Sequence, residues 1–181
     1  MSHRDPIQML VHEHEVITKV VAGLGKIAQD LNSGSRVDPD TLKAIVRFMR
    51  EFADRCHHAK EEDLLFPAME RKGVPESGCP LGGLRHEHAQ GRALVTTLSD
   101  AVDRYAADGA RDGREIVEIA GKIDALYTNH IWKENEMVFP MAARLFSDTE
   151  QDRLYEQFEK AEAEIGANHH ELAAFAARLA A

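Results

Sequence analysis

Along most of the chain apolar residues recur three and four positions apart, the spacing of one helical face, and no alternation of period two runs long enough for a strand. The pattern predicts an all-α protein. A first helix runs from about Pro6 to Leu31 and closes at the turn-rich Asn32-Ser33-Gly34-Ser35. Asp38 reads as an N-cap with Pro39 at the first helical position, opening a second helix to about Arg71. Gly73, Pro75, Gly78, Pro80, Gly82 and Gly83 punctuate the next loop, and a third helix starts near Leu81 and continues to about Ala107. After the polar loop Asp108 to Gly113, a fourth helix extends from about Arg114 to Leu145. Ser147 with Glu150 forms a capping-box pattern for a further helix, expected to break around Gly166 and Ala167, with Asn168 capping a last short segment. The expected architecture is an up-down-up-down four-helix bundle over residues 1–145, with a C-terminal helical extension, 146–181, packed on it.

The second and fourth helices share a spelling. His57-His58-Ala59-Lys60-Glu61-Glu62-Asp63-Leu64-Leu65-Phe66-Pro67 returns 73 residues later as His130-Ile131-Trp132-Lys133-Glu134-Asn135-Glu136-Met137-Val138-Phe139-Pro140. On a helix, positions i and i+4 share a face, so both His57 with Glu61 and His58 with Glu62 could form a two-ligand pincer for a metal. The repeat keeps His57 and Glu61, as His130 and Glu134, and replaces their neighbours with Ile131 and Asn135. The first and third helices repeat as well: the run from His12, HEHEVITKVVAGL, matches HEHAQGRALVTTL from His86.

Helical phase chooses within those pairs. At about 100° per residue, Ile7, Leu10, Ile17, Val21 and Leu24 lie within roughly 80° of His14, whereas His12 lies about 160° away. His88 gathers Leu81, Leu84, Val95, Leu98 and Val102 on its side and sends His86 to the opposite face. In the fourth helix Ile116, Ile119, Ile123, Leu126, Glu134, Met137 and Met141 fall within roughly 40° of His130. The second helix is less regular, because Ile45, Met49, Phe52 and Cys56 centre roughly 110° from His57, and His58 is placed worse still.

Composition narrows the function classes. At 181 residues one domain is the starting expectation. No run approaches a membrane span, and the N-terminal MSHRDPIQML lacks the apolar segment of a secretory signal, so a cytoplasmic protein is expected. Acidic residues outnumber basic ones 31 to 22 and the cations are scattered, which argues against nucleic acid as a partner. Two cysteines, Cys56 and Cys79, are too few for a disulfide scaffold or a cysteine zinc site, and buried or semi-buried free thiols are expected. No nucleotide loop, flavin fingerprint or nucleophile triad is spelled out, so any enzymatic chemistry would belong to metals.

Four inward histidines and two inward glutamates put two carboxylates into a core that cannot hold them without compensating charge, and no inward Lys or Arg has the spacing to neutralise both. A cation is the simplest compensation. His14, His57, Glu61, His88, His130 and Glu134 are too many ligands for one tetrahedral zinc and suit two metals, with Glu61 and Glu134 bridging and two histidines per metal. Nitrogen and oxygen donors without thiolate favour iron or manganese, and such sites also take zinc. Neither the Glu-x-x-His spelling of ferritin-like proteins nor the His-Glu-x-x-His of zincins occurs.

The order His14, His57-x-x-x-Glu61, His88, His130-x-x-x-Glu134, with Phe-Pro after each glutamate, resembles the hemerythrin-like family, the HHE cation-binding domain, over about residues 5 to 145. The resemblance implies a four-helix bundle with a non-haem centre of two iron ions (Fe2+/Fe3+), oxo- or hydroxo-bridged. Oxygen-carrying members have five histidines, including a His-x-x-x-His pair, and an aspartate bridge. Here Arg92 follows His88 by four and Glu134 takes the bridge position, as in four-histidine, two-glutamate bacterial members associated with peroxide handling, nitric oxide response or iron sensing. The expected ligand is therefore dioxygen, peroxide or nitric oxide, with peroxide disproportionation as the activity if there is turnover. A sensing module without turnover is the alternative, and a purely structural metal is a third reading.

Further residues adjoin the expected ligands. Tyr127, one turn before His130, is a candidate donor or extra ligand, although core packing is its ordinary role. His58, Glu62 and Glu87 are candidate alternative ligands or outer partners, and Cys56 could report on redox state. His169 and His170 fall outside the repeat, with a surface role or a contact across a dimer open to them.

Overall fold

A computed structural model describes residues 5–165 and 167–179. The expected break at Gly166 lies outside them. Helix α1 (Pro6–Asn32) opens with Pro6 at its first position, and Asp5 accepts hydrogen bonds from the backbone N–H of Ile7 (2.9 Å) and Gln8 (3.1 Å). A second rod comprises α2 (Pro39–Phe48), two π-helical stretches (Met49–His58 and Glu61–Leu65) and α3 (Phe66–Arg71). Asp38 caps it through the N–H of Asp40. Helix α4 (Leu81–Ala107) is the third rod, and the fourth joins α5 (Arg114–Lys133), a π-helical turn (Glu134–Val138) and α6 (Phe139–Leu145).

Short loops join the four rods, and each rod packs on its neighbours in chain order, with the fourth closing against the first. The result is the predicted helical bundle with a C-terminal extension. That extension comprises α7 (Asp148–Ile165), started by the Ser147–Glu150 capping box, and α8 (Ala167–Leu179), which packs on α1. Asn168 lies inside α8 rather than at its cap, and its side chain accepts a hydrogen bond from Arg47. No described helix is long and apolar enough to cross a membrane.

The π turns have a local cause. Pro67 and Pro140 each sit inside a continuous rod, where a proline removes one amide donor and clashes with the carbonyl four residues earlier. The preceding turn widens, and the N–H groups of Phe66 and Phe139 bond back five residues to the carbonyls of Glu61 and Glu134. In a wider turn each residue advances by less than the α-helical angle. Phase counted at the α-helical angle therefore fails past these points. Met137 and Met141, expected inward, are 53% and 37% exposed, while Val138, Phe139 and Ala142 take the core positions. In the second rod the long π stretch brings His57 and His58 inward together with Met49, Phe52 and Cys56.

Two apolar clusters fill the bundle. One contains Ile17, Leu24, Phe48, Leu98, Ile123 and Tyr127, and the other contains Leu10, Phe66, Leu84, Phe139 and Phe158. The histidines and glutamates named above fall between these clusters along every rod, forming a polar layer closed off by apolar layers on both sides.

Candidate metal centre

All six expected ligands are buried: His14, His57, Glu61, His88, His130 and Glu134 are each at most 4% exposed. His12 and His86 are exposed. The six do not stand alone, because His58 joins them at 3% exposure. These seven residues form two groups of potential ligand atoms, each within 4.8 Å: His14, His57, Glu61 and Glu134, and His58, Glu61, His88 and His130; Glu13, Cys56 and His169 form a third group. Glu61 belongs to both, with Oε1 3.5 Å from His57 Nε2 and Oε2 3.4 Å from His88 Nε2. Glu134 also spans them, with Oε2 3.1 Å from His14 Nε2 and 3.3 Å from His130 Nε2, and Oε1 3.7 Å from His88 Nε2. Where two histidines per metal were expected, the donors divide into three histidines on one side and two on the other.

A set of outer acceptors orients the rings. His57 Nδ1 donates to Glu13 (2.9 Å), His88 Nδ1 to Glu62 (2.6 Å), His130 Nδ1 to Glu87 (3.0 Å) and His14 Nδ1 to Asn135 (2.8 Å). Each rod thus supplies the acceptor for the histidine of the next, and the fourth rod serves the first. His58 Nδ1 is served within its own rod by Asp54 at 3.4 Å. With each Nδ1 committed outward, Nε2 is the nitrogen that each ring turns toward the centre, and those of His88 and His130 lie 3.1 Å apart.

The internal repeat carried the signal for these acceptors. Glu13 and Glu87 are repeat equivalents, as are Glu62 and Asn135, and each adjoins an expected ligand. A polar residue beside a ligand, as Glu13 and Asn135 are, reads as a solvated face until the packing is known, and Asp54 adjoins no expected ligand in sequence. His58, a candidate alternative ligand in the sequence, is placed off the inward face by the α-helical angle, which does not hold in the π stretch.

Cations form a third layer. Lys60, fully buried, bonds Glu13; Lys133 bonds Glu87; Arg92 bonds Glu62 (3.0 Å) and Asp54 (2.7 Å). None of these reaches Glu61 or Glu134. Both oxygens of each of those glutamates, and Nε2 of His14 and His57, are buried without a hydrogen-bond partner. Buried polar atoms left so cost several kcal/mol together, at about 1–3 kcal/mol each, and a bound cation is what this donor set would satisfy. The phenylalanine of each Phe-Pro pair covers a ring of the centre: Phe139 stacks on His14 (5.2 Å) and Phe66 on His88 (6.1 Å).

Without a cation, the groups of the layer shift one another's charge. Burial and the neighbouring His88, His57, His130 and Arg92 push His58 well below its ordinary value, leaving a neutral imidazole. Burial opposes charge on His88, but Glu134, Glu61 and Glu62 outweigh it and push His88 up to about 11. Burial likewise disfavours the Glu134 carboxylate, and His130, His14 and His88 overcome it, holding Glu134 well below the usual range.

Tyr127 is buried with its ring 6.3 Å from that of His58, and its hydroxyl faces Gly91, where a Cβ would lie 3.3 Å away. It lines both a surface pocket of about 190 Å³, shared with Asp54, His58 and Arg92, and a cavity of about 10 Å³ beside His58, His88 and His130. The cavity has room for about one water-sized molecule. Cys79 is exposed in the Gly- and Pro-rich loop, contrary to expectation, whereas Cys56 is buried. Burial pushes the Cys56 thiol up to about 12, so it stays protonated and unreactive. The native protein is expected to release one equivalent of chromophore from Ellman's reagent and two after unfolding; two in the native state would mean that the second rod opens. His170 is exposed, and His169 packs on the bundle, its ring stacked on Phe52 at 4.9 Å.

The arrangement has relatives. The model of the hemerythrin HHE cation binding domain matches residues 5–142. A zinc finger protein named BRUTUS, from Arabidopsis thaliana, is 24% identical over 149 residues, which is 81% of this chain and 11% of that protein's length. With the family match spanning all four rods and every residue of the polar layer, the chain belongs to the hemerythrin HHE cation-binding domain family.

Proposed function

We propose that this protein holds two iron ions in the polar layer and uses them to bind or react with a small oxidant or diatomic molecule: dioxygen, peroxide or nitric oxide. The observation that carries this reading is the set of four unpartnered carboxylate oxygens, on Glu61 and Glu134, faced by the Nε2 atoms of buried histidines whose Nδ1 protons are committed elsewhere. His14 and His57 would hold one ion and His58, His88 and His130 the other, with Glu61 and Glu134 between them. Donors of nitrogen and oxygen, without thiolate, suit iron, and zinc or manganese as substitutes.

When bound, the metals supply electrons and coordination positions for a small ligand. The chain's own part is to fix that field. Glu13, Asp54, Glu62, Glu87 and Asn135 set the tautomer and tilt of the five rings. Phe66, Phe139 and the two apolar clusters keep bulk water out, and the small cavity beside Tyr127 limits what can approach.

Elemental analysis tests the reading. Protein made with ample iron is expected to carry about two ions per chain, one for each donor group, with a visible band that changes on reduction. A His130→Ala, Glu134→Ala variant is expected to lose them. The same metal content in both proteins would overturn the assignment. Peroxide disproportionation no faster than that of free iron would leave binding or sensing, the second reading, which is favoured by the contact of the C-terminal helices with Glu13 through Lys60.

A further inference from the structure

The two halves of the polar layer are built from the same parts, and one difference between them stands out. On one side His57 donates to Glu13 and Lys60 holds Glu13; on the other His130 donates to Glu87 and Lys133 holds Glu87. Lys60 and Lys133 are repeat equivalents. Yet Lys133 is 35% exposed and Lys60 is 0% exposed. The cause is the C-terminal extension, which covers the first half and not the second.

Three side chains of the extension converge there. Phe158 lies under the Lys60 ammonium, 5.8 Å from it, and Glu162 accepts a hydrogen bond from the same ammonium at 2.7 Å. His169 brings Nε2 to 3.6 Å from Glu13 Oε1, and that nitrogen is buried without a hydrogen-bond partner. On either side of Glu162 and His169 the extension is anchored in apolar packing, Phe158 in one cluster and Leu172 in the other. It therefore straddles the polar layer and sets its own two polar groups at the level of the metal ligands. Among the described residues Lys133 has no counterpart of Glu162.

We propose that Glu162 and His169 are positioning residues for the His14–His57 half of the metal centre, acting through Lys60 and Glu13 on the His57 ring; the inference rests on the dinuclear reading above. A fully buried lysine is rare unless paired, and a buried ion pair holds its geometry only when its remaining donors are satisfied. Glu162 satisfies Lys60, Lys60 fixes Glu13, and Glu13 fixes the tilt of His57. Without the cover, Glu13 gains the freedom that a half-exposed pair has in water, and His57 loses its fixed orientation. The equivalent link from Lys133 to His130 is already wet, so it has less to lose.

The test is an anaerobic titration of the full-length protein with Fe(II) against a chelator of known affinity. The unaltered protein is expected to hold two ions tightly. A Glu162→Gln, His169→Leu variant is expected to hold one as tightly and the other about 10–100-fold more weakly, the loss typical when an outer partner of a ligand is removed. Lys133→Met is expected to change either site by less than about fivefold, as for an exposed ion pair. In a His57→Ala background the double substitution should add nothing, which a general loss of stability would not reproduce. Should the double variant fail to fold, the single Glu162→Gln, at a quarter-exposed position, carries the same expectation. Two undiminished sites in the variant, or equal weakening of both, would overturn the inference. No iron in the unaltered protein would overturn the dinuclear reading itself and the inference with it.

Discussion

In a Glu61→Leu variant, tight iron binding is expected to fall from about two ions per chain to none, while the metal-free protein melts at a higher temperature than the unaltered one. The first half follows from position: one oxygen of Glu61 lies 3.5 Å from His57 and the other 3.4 Å from His88, so the residue belongs to both donor groups. The second half follows from burial. Both oxygens are inaccessible and accept no hydrogen bond, Glu134 and Glu62 remain to face the charged His88 ring, and Lys60, although close in sequence, directs its charge to Glu13 and Glu162. A buried polar group left without a hydrogen-bond partner costs about 1–3 kcal/mol, which a well-packed apolar side chain in its place removes, and each kcal/mol is worth roughly 2–4 °C for a chain of this size. Function and stability thus pull apart at one residue. Calorimetry with a chelator, beside metal analysis, reads both. Retention of one tight ion would mean that Glu61 serves one metal alone, and a lower melting temperature would mean that its carboxylate is satisfied without metal.

Much of the polar layer is legible in the sequence, and the part that is not has two physical causes. The caps at Asp38 and Ser147, the rod boundaries and the inward choice of His14 and His88 over His12 and His86 all followed from local chemistry and α-helical phase, and α1 and α4 are regular helices. Misplacements gather where the helix is not α. Met137 lies in the Glu134–Val138 π turn and Met141 follows it, and His58 ends the Met49–His58 stretch. The Phe-Pro pairs announce the Glu61–Leu65 and Glu134–Val138 turns, since a proline inside a continuous rod has to break the bonding pattern ahead of it. The outer acceptors were hidden differently. Glu13, Glu62, Glu87 and Asn135 sit next to ligands in sequence but serve the histidine of the following rod in space, a relation that appears only when the rods are packed.

The gap in melting temperature between metal-loaded and metal-free protein is expected to widen as pH rises from about 6 to 9. In the metal-free state the Glu134, Glu61 and Glu62 carboxylates outweigh burial and hold His88 protonated up to about 11, against an ordinary value of 6.5. A raised value of this kind contributes stability that is complete below about 6.5 and is lost progressively as pH climbs toward 11. Glu134, held below its ordinary 4.5 by the surrounding histidines, works in the other direction: its contribution is present above 4.5 and lost as pH falls. Between them these groups place the metal-free optimum on the acidic side of neutrality. Metal reverses the trend, because a cation at His88 Nε2 requires the neutral ring and so displaces a proton on binding. Across the window between the two His88 values, each pH unit then strengthens binding by about tenfold, or about 1.4 kcal/mol, for that one proton. Zinc, which has no redox chemistry of its own, makes the cleanest probe: melting curves with zinc and with chelator, taken at half-unit steps of pH, should diverge upward. A gap that stays constant would mean that His88 is neutral before the metal arrives, and that the two glutamates are balanced by some charge other than the one their geometry assigns to it.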